Sequence, residues 1–214
     1  GENPLLLLDE VICTPHLGAS TDEAQENVAV AVAEQIVDYL INGQIRNAIN
    51  VPSVDAETLK KIKPYLYLGE KLGSLQAQLC KGRIQQINII YSGEVAKMET
   101  SPITLAVLKG LLSVFVETDL NMVNAPVIAK ERGIEVLESR SSESHDFASL
   151  ISVIITTDEE SKTIEGTLFG KEDTRSVRID EYHVEASPEG NMLVFSNVDA
   201  PGVIGKIGTI LGNN

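Results

Sequence analysis

The chain of 214 residues is long enough to bury a core of one or two domains. Its 31 acidic against 17 basic residues leave a formal charge of -14, a field that opposes binding to nucleic acid or to an anionic membrane surface. No apolar run approaches the roughly 20 residues of a membrane helix, and His16, His145 and His183 lack zinc-ligand spacing, so no metal site is expected.

Glu10-Val11-Ile12-Cys13 is short, apolar and β-branched, which predicts a buried strand ended by Pro15. Gly18 supplies a turn, and Ser20 with Glu23 three residues on forms a capping-box pattern that predicts a helix over 20–42. The succession Val28 to Ala33 makes that helix apolar all round, which predicts burial on more than one side, and Gly43 is its stop. Ile49 to Pro52 and the polar stretch 53–57 read as a linker at a domain boundary.

After Pro64, Leu68, Leu72, Leu75 and Leu79 recur at helical spacing and predict an amphipathic helix with a core-facing stripe. Ile87, Ile89 and Tyr91 alternate with polar residues over 85–91, the pattern of a half-buried strand. Ser101-Pro102 opens a helix through Leu112, and Asn124-Ala125-Pro126 a short one closed by Gly133. A strand over 134–138 precedes a polar loop over 139–146. Alternating runs at 148–156, 162–169 and 176–179, joined at a charged turn over 158–161, predict an antiparallel meander. Mixed helices and strands make this middle unit α+β. The final piece reads as a strand at 192–195, a loop over 196–202 and a helix carrying Val203, Ile204, Ile207, Ile210 and Leu211. Cys13 and Cys80 each lie in a predicted apolar element, and two buried thiols fit a reducing, cytoplasmic setting. A chain that opens without Met and stops just after an apolar helical run is expected to be an internal piece of a longer polypeptide.

His16 thus lies on a loop ahead of a helix start, where an imidazole that titrates near neutrality serves acid–base chemistry or simply lines a turn. The run Thr14 to Thr21 resembles the segment that carries the catalytic histidine in NAD-dependent D-2-hydroxyacid dehydrogenases. Asn3-Pro4-Leu5-Leu6, Ala29 to Gln35 and Asn47 to Pro52 narrow the resemblance to the D-3-phosphoglycerate dehydrogenase family. Tyr65 to Leu75 is similar to the start of the intervening domain of that family's long form, whose fold resembles the serine dehydratase β-domain. Met192 to Gly202 with the helix after it resembles the first half of an ACT domain, a ferredoxin-like module that senses amino acids.

The resemblance implies three parts: residues 1–50 end an α/β dehydrogenase region, 51–187 form the intervening α+β domain, and 188–214 begin a truncated ACT domain. It implies His16 as general acid–base, Leu17, Gly18 and Ala19 with His16 beside the nicotinamide of NAD, and 3-phosphoglycerate as substrate. It further implies an effector, L-serine, at Asn197 and Asp199, an anion held by Arg175 and Arg178, and a homo-oligomer. Asp199 read by itself is equally a turn or capping aspartate, and the two arginines are equally solvated strand residues. No Gly-x-Gly-x-x-Gly loop occurs, so the piece by itself is expected to be inactive as a dehydrogenase. The other expectation is a regulatory or oligomerisation module that binds serine or a phosphorylated acid.

Overall fold

The computed structural model describes residues 4, 8–13, 17–42, 47–48, 56–116, 120–141, 146–198 and 200–213. The predicted strand over 10–13 is not formed: Glu10 lies in a turn, Val11 N–H donates to Leu8 O at 3.1 Å, and Ile12 is 90% exposed. A strand needs a neighbour for its ladder, and none of the described strands runs beside this one. Cys13 is consequently exposed, not buried as expected.

Helix α1 (Asp22–Asn42) follows, capped one residue later than Ser20. Thr21 Oγ1 accepts the Ala24 N–H at 3.2 Å, which leaves Asp22 and Glu23 in the first turn, where the helix dipole favours them. The expected burial of α1 does not occur: none of its residues is buried.

Helix α2 (Ala56–Leu79) starts well before Pro64, which sits inside it, so Glu57 belongs to the helix and not to a linker. Strand β1 (Ile84–Gly93), a short 3-10 turn (Val95–Lys97), α3 (Ser101–Leu112), α4 (Ala125–Glu131) and β2 (Glu135–Ser141) come next. The meander is β3 (Ser149–Thr157), β4 (Ser161–Phe169) and β5 (Asp173–Ile179), extended by β6 (Tyr182–Ala186). Together they make one six-stranded sheet in the order β2-β1-β3-β4-β5-β6. Only the β1–β2 pair is parallel, as a crossover through α3 and α4 requires.

The core lies between one face of the sheet and helices α2 and α3. Cross-strand pairs Ile87–Ile155, Ile89–Val153 and Tyr91–Ile151 line that face, with Ile164 opposite Val153. All of them are fully buried, together with Leu68 and Leu72 of α2 and Ile103, Val107 and Leu111 of α3. The leucine stripe of α2 therefore meets the alternating face of β1, as the two periodicities predict. The helices approach through glycine. A Cβ on Gly73 would run into the Val107 carbonyl, and one on Gly110 into the Glu70 carbonyl, while Lys109 Nζ pairs with Glu70 at 2.9 Å alongside.

Two further expectations are corrected. The loop placed over 139–146 begins later, because Ser139, Arg140 and Ser141 continue β2 in register with Ile90, Tyr91 and Ser92. The strand placed at 192–195 is absent: these residues run without regular structure, Leu193 is 66% exposed, and the segment 190–194 borders a groove on the Lys71–Ser74–Gln78 side of α2. Helix α5 (Val203–Gly212) forms as predicted but buries none of its residues. No described helix is long and apolar enough to cross a membrane.

Candidate functional site

Arg175 and Arg178 are three residues apart, and in a regular strand that spacing puts them on opposite faces. Here Arg175 is paired with Thr167 and Arg178 with Glu165, two residues of β4 that share a face. The register slips between Glu165 and Gly166 because β5 carries one extra residue, Val177, opposite β4. That bulge brings both guanidiniums to the face of the sheet away from α2 and keeps Ser176 buried, opposite Gly166. Gly166 itself lies under Leu68 and Leu72 of α2.

Each arginine already has an acid. Arg175 grips Asp173 with two bonds, Nε to Oδ1 at 3.0 Å and Nη2 to Oδ2 at 2.9 Å. Arg178 Nε lies 3.5 Å from Glu165 Oε2, in ion-pair range, yet it is buried and makes no hydrogen bond. Arg178 Nη2 stands 3.4 Å from His183 Nε2, and Glu165 Oε1 accepts the Ser152 hydroxyl at 3.0 Å. Glu165, Arg178 and His183 thus form a row across β4, β5 and β6. Asp146 and Phe147 join them around a pocket of about 270 Å³, below the roughly 300 Å³ where drug-sized ligand sites begin. An anion entering here meets one guanidinium whose charge Glu165 shares, so it must compete with that carboxylate.

A second polar cluster lies where the parallel strands β1 and β2 end beside the start of α3. Thr100 Oγ1 donates to Glu138 Oε1 at 2.5 Å and Thr104 Oγ1 to Glu138 Oε2 at 2.6 Å. Arg140 Nη2 donates to Thr100 Oγ1 at 2.9 Å, and Tyr91 OH reaches Thr104 Oγ1 at 2.8 Å. With Thr104 donating onward, Tyr91 is the donor in its pair, and the whole chain of hydrogen bonds runs toward the Glu138 carboxylate. Burial, the largest cause, holds the Tyr91 phenol protonated far above its ordinary range. Because Thr100 turns its hydroxyl to Glu138, it does not cap α3 with its side chain.

The other expected site residues are not brought together. His16 and Asp199 lie outside the described residues. Leu17, Gly18 and Ala19 are exposed ahead of α1, with Ser20 N–H bonded to Leu17 O. Asn197 is exposed and turns its amide to the Val198 carbonyl at 3.1 Å. Among the described residues no group of three or more His, Cys, Asp or Glu could hold a metal. Sequence reasoning missed Glu165, His183 and Glu138, whose roles depend on strand register. The alternation of β6 around His183 was the one visible sign.

Comparison with known proteins gives one consistent answer. The family model described as the D-3-phosphoglycerate dehydrogenase intervening domain matches residues 61–180. The chain is 41% identical over 212 residues to a D-3-phosphoglycerate dehydrogenase of Methanocaldococcus jannaschii, covering 99% of this chain and 40% of that protein. It is 41% identical over 214 residues to the protein of that name from Synechocystis, and 40% identical over 213 residues to that from Bacillus subtilis. These matches cover 100% of this chain and 39% and 41% of the two relatives, so the chain spans about two fifths of their length.

Proposed function

Because this chain belongs to the D-3-phosphoglycerate dehydrogenase family that carries the intervening domain, we propose that it works as part of such a dehydrogenase. The reaction is oxidation of 3-phosphoglycerate to 3-phosphohydroxypyruvate with NAD, at the entry to L-serine synthesis in the cytoplasm. The observation that carries the reading is similarity along the full chain to proteins of that name. In this reading His16 takes the proton of the substrate hydroxyl, and Leu17, Gly18 and Ala19 border the nicotinamide. The residues at hand do not make a dinucleotide site by themselves. Leu17 is 53% exposed, among the described residues no atom beyond the chain neighbours lies within 4 Å of a Cβ built on Gly18, and the sequence has no Gly-x-Gly-x-x-Gly loop. The chain alone is therefore inactive as a dehydrogenase.

The test compares NADH formation by this chain with that of a full-length dehydrogenase containing it. The chain should give none, and His16→Asn in the full-length enzyme should cut kcat by about 10²–10⁴-fold, the usual worth of a general acid–base group. Full activity of the His16→Asn enzyme would overturn the assignment.

A second reading, as a regulatory and oligomerisation module, is favoured by one observation: the span from α2 to β6 completes a sheet and a core of its own. Under it Arg175 and Arg178 offer a shared face to a phosphorylated acid, and Asn197 and Asp199 serve L-serine. The carboxylates of Asp173 and Glu165 make any anion site there a weak one.

A further inference from the structure

At the opposite end of β1 and β2 from the Glu138 cluster, where both strands begin, a cleft of about 450 Å³ opens, a size typical of small-ligand sites. Ile84, Leu112 and Ile134, all buried, form its floor, and Phe115, 47% exposed, stands in its wall. Arg83 and Arg132 also line it. Arg83 Nη2 donates to the Arg132 carbonyl at 3.2 Å, and Arg132 Nη2 to the Phe115 carbonyl at 3.5 Å. Those carbonyls lie just past the ends of α4 and α3, where backbone acceptors are left without helical partners. Each guanidinium is thus steadied by one backbone contact and retains further N–H donors, since arginine carries several in a planar fork.

The chemistry of this lining is specific. Unlike Arg175 and Arg178, neither Arg83 nor Arg132 forms an ion pair with a carboxylate among the described residues, in a chain whose net charge is -14. Among the residues that line the cleft Glu131 is the one carboxylate, so two guanidiniums against it leave one net positive charge, with the Asp158 carboxylate turned to the Arg83 N–H at 2.7 Å. A single negative charge matches that balance better than a phosphate dianion does. A carboxylate suits the planar fork of arginine, and a hydrocarbon tail suits the three buried aliphatic side chains.

We infer that this cleft is a binding site for a small monocarboxylate with an apolar tail, its carboxylate on Arg83 and Arg132 and its tail on Ile84, Leu112 and Ile134. The site is separate from the dehydrogenase reading and from the Arg175–Arg178 face. The experiment follows amide proton–nitrogen correlation spectra of the whole chain as hexanoate is added. Saturable shifts at Ile84, Phe115 and Ile134 are expected, and neither hexylamine nor inorganic phosphate should produce them. Arg83→Gln and Arg132→Gln should each weaken hexanoate by about tenfold, the loss of one hydrogen bond to a charged group. Spectra that keep the native dispersion establish that each variant is folded, and Arg83→Gln, which spares the contact to Phe115, stands in if Arg132→Gln unfolds. Shifts that never saturate, affinity unchanged in the folded variants, or equal binding of hexylamine would each overturn the inference.

Discussion

Cys80 follows α2 at the point where the turn between β3 and β4 folds back over the helix end. Glu160 Oε1 accepts the Lys81 N–H and Asp158 Oδ1 the Arg83 N–H, both at 2.7 Å, so two carboxylates hold the connection into β1. Burial first, and the Glu160 charge second, push the Cys80 thiol from 9.0 up to about 11, with Lys162 pulling the other way. The thiolate is the nucleophile, so at about pH 8 a haloacetamide should modify exposed Cys13 and spare Cys80 until the chain is unfolded. Equal modification of both in the native protein, read by peptide mass, would contradict this. The linkage has a definite sign. The folded thiol keeps its proton to higher pH than the unfolded one, so this contribution is intact below pH 9 and is lost as pH rises toward about 11. Both cysteines sit in apolar runs, and among the described residues only the run before Cys80 packs into the core. The hydrophobic pattern states what a segment can bury, while burial itself depends on a neighbour elsewhere in the chain.

At the scale of elements, the pairing of α2 with α3 rests on residues with no side chain. Gly→Ala in an exposed helix interior stabilises by about 1 kcal/mol through propensity. At Gly73 and Gly110 the added methyl meets backbone carbonyls, which cannot rotate away, so the sign reverses. Gly73→Ala or Gly110→Ala should lower stability by about 1–3 kcal/mol, the range for overpacking, measured by urea unfolding. Gly69→Ala, whose methyl would come no closer than 3.1 Å to Val107 Cγ2 and 3.3 Å to Ile103 Cγ2 and the Ile103 carbonyl, should cost much less. If all three behave alike, the close approach is not what joins the helices. The leucine stripe and the alternation of β1 made these elements legible from sequence. The bulge at Val177 was not legible, because an extra residue shows only against the partner strand. β6 is hidden for a related reason: its lead-in turn uses Asp180 at a φ of +51° in place of a glycine.

Over the whole molecule, the buried core belongs to the span from α2 to β6, and the two outlying helices carry exposed apolar faces. Val30, Val37 and Leu40 of α1 are 54%, 52% and 73% exposed, and Ile204 of α5 is 82% exposed. Contiguous apolar surface of this kind drives association. The chain is therefore expected to self-associate with concentration in sedimentation velocity, more strongly as salt screens its charge of -14. Val30→Glu with Val37→Glu should return it to monomer. A chain that stays monomeric at every concentration and salt level would remove this support for an oligomerisation module.

The sheet order has a consequence for how the protein is made. β1 leads the strands in sequence yet stands inside the sheet, and its partners β2 and β3 lie far downstream, with Ser92 matched to Ser141 and to Leu150. Until β2 and β3 have been made, Ile87-Asn88-Ile89-Ile90-Tyr91 has both of its edges open, and the helices made by then can shelter only one of its faces. Such a strand is a template for mispairing until the meander arrives. Synthesis that stalls before Ser149 leaves a strand with four isoleucines in search of a partner, and the nearest substitute is the same strand on a neighbouring nascent chain.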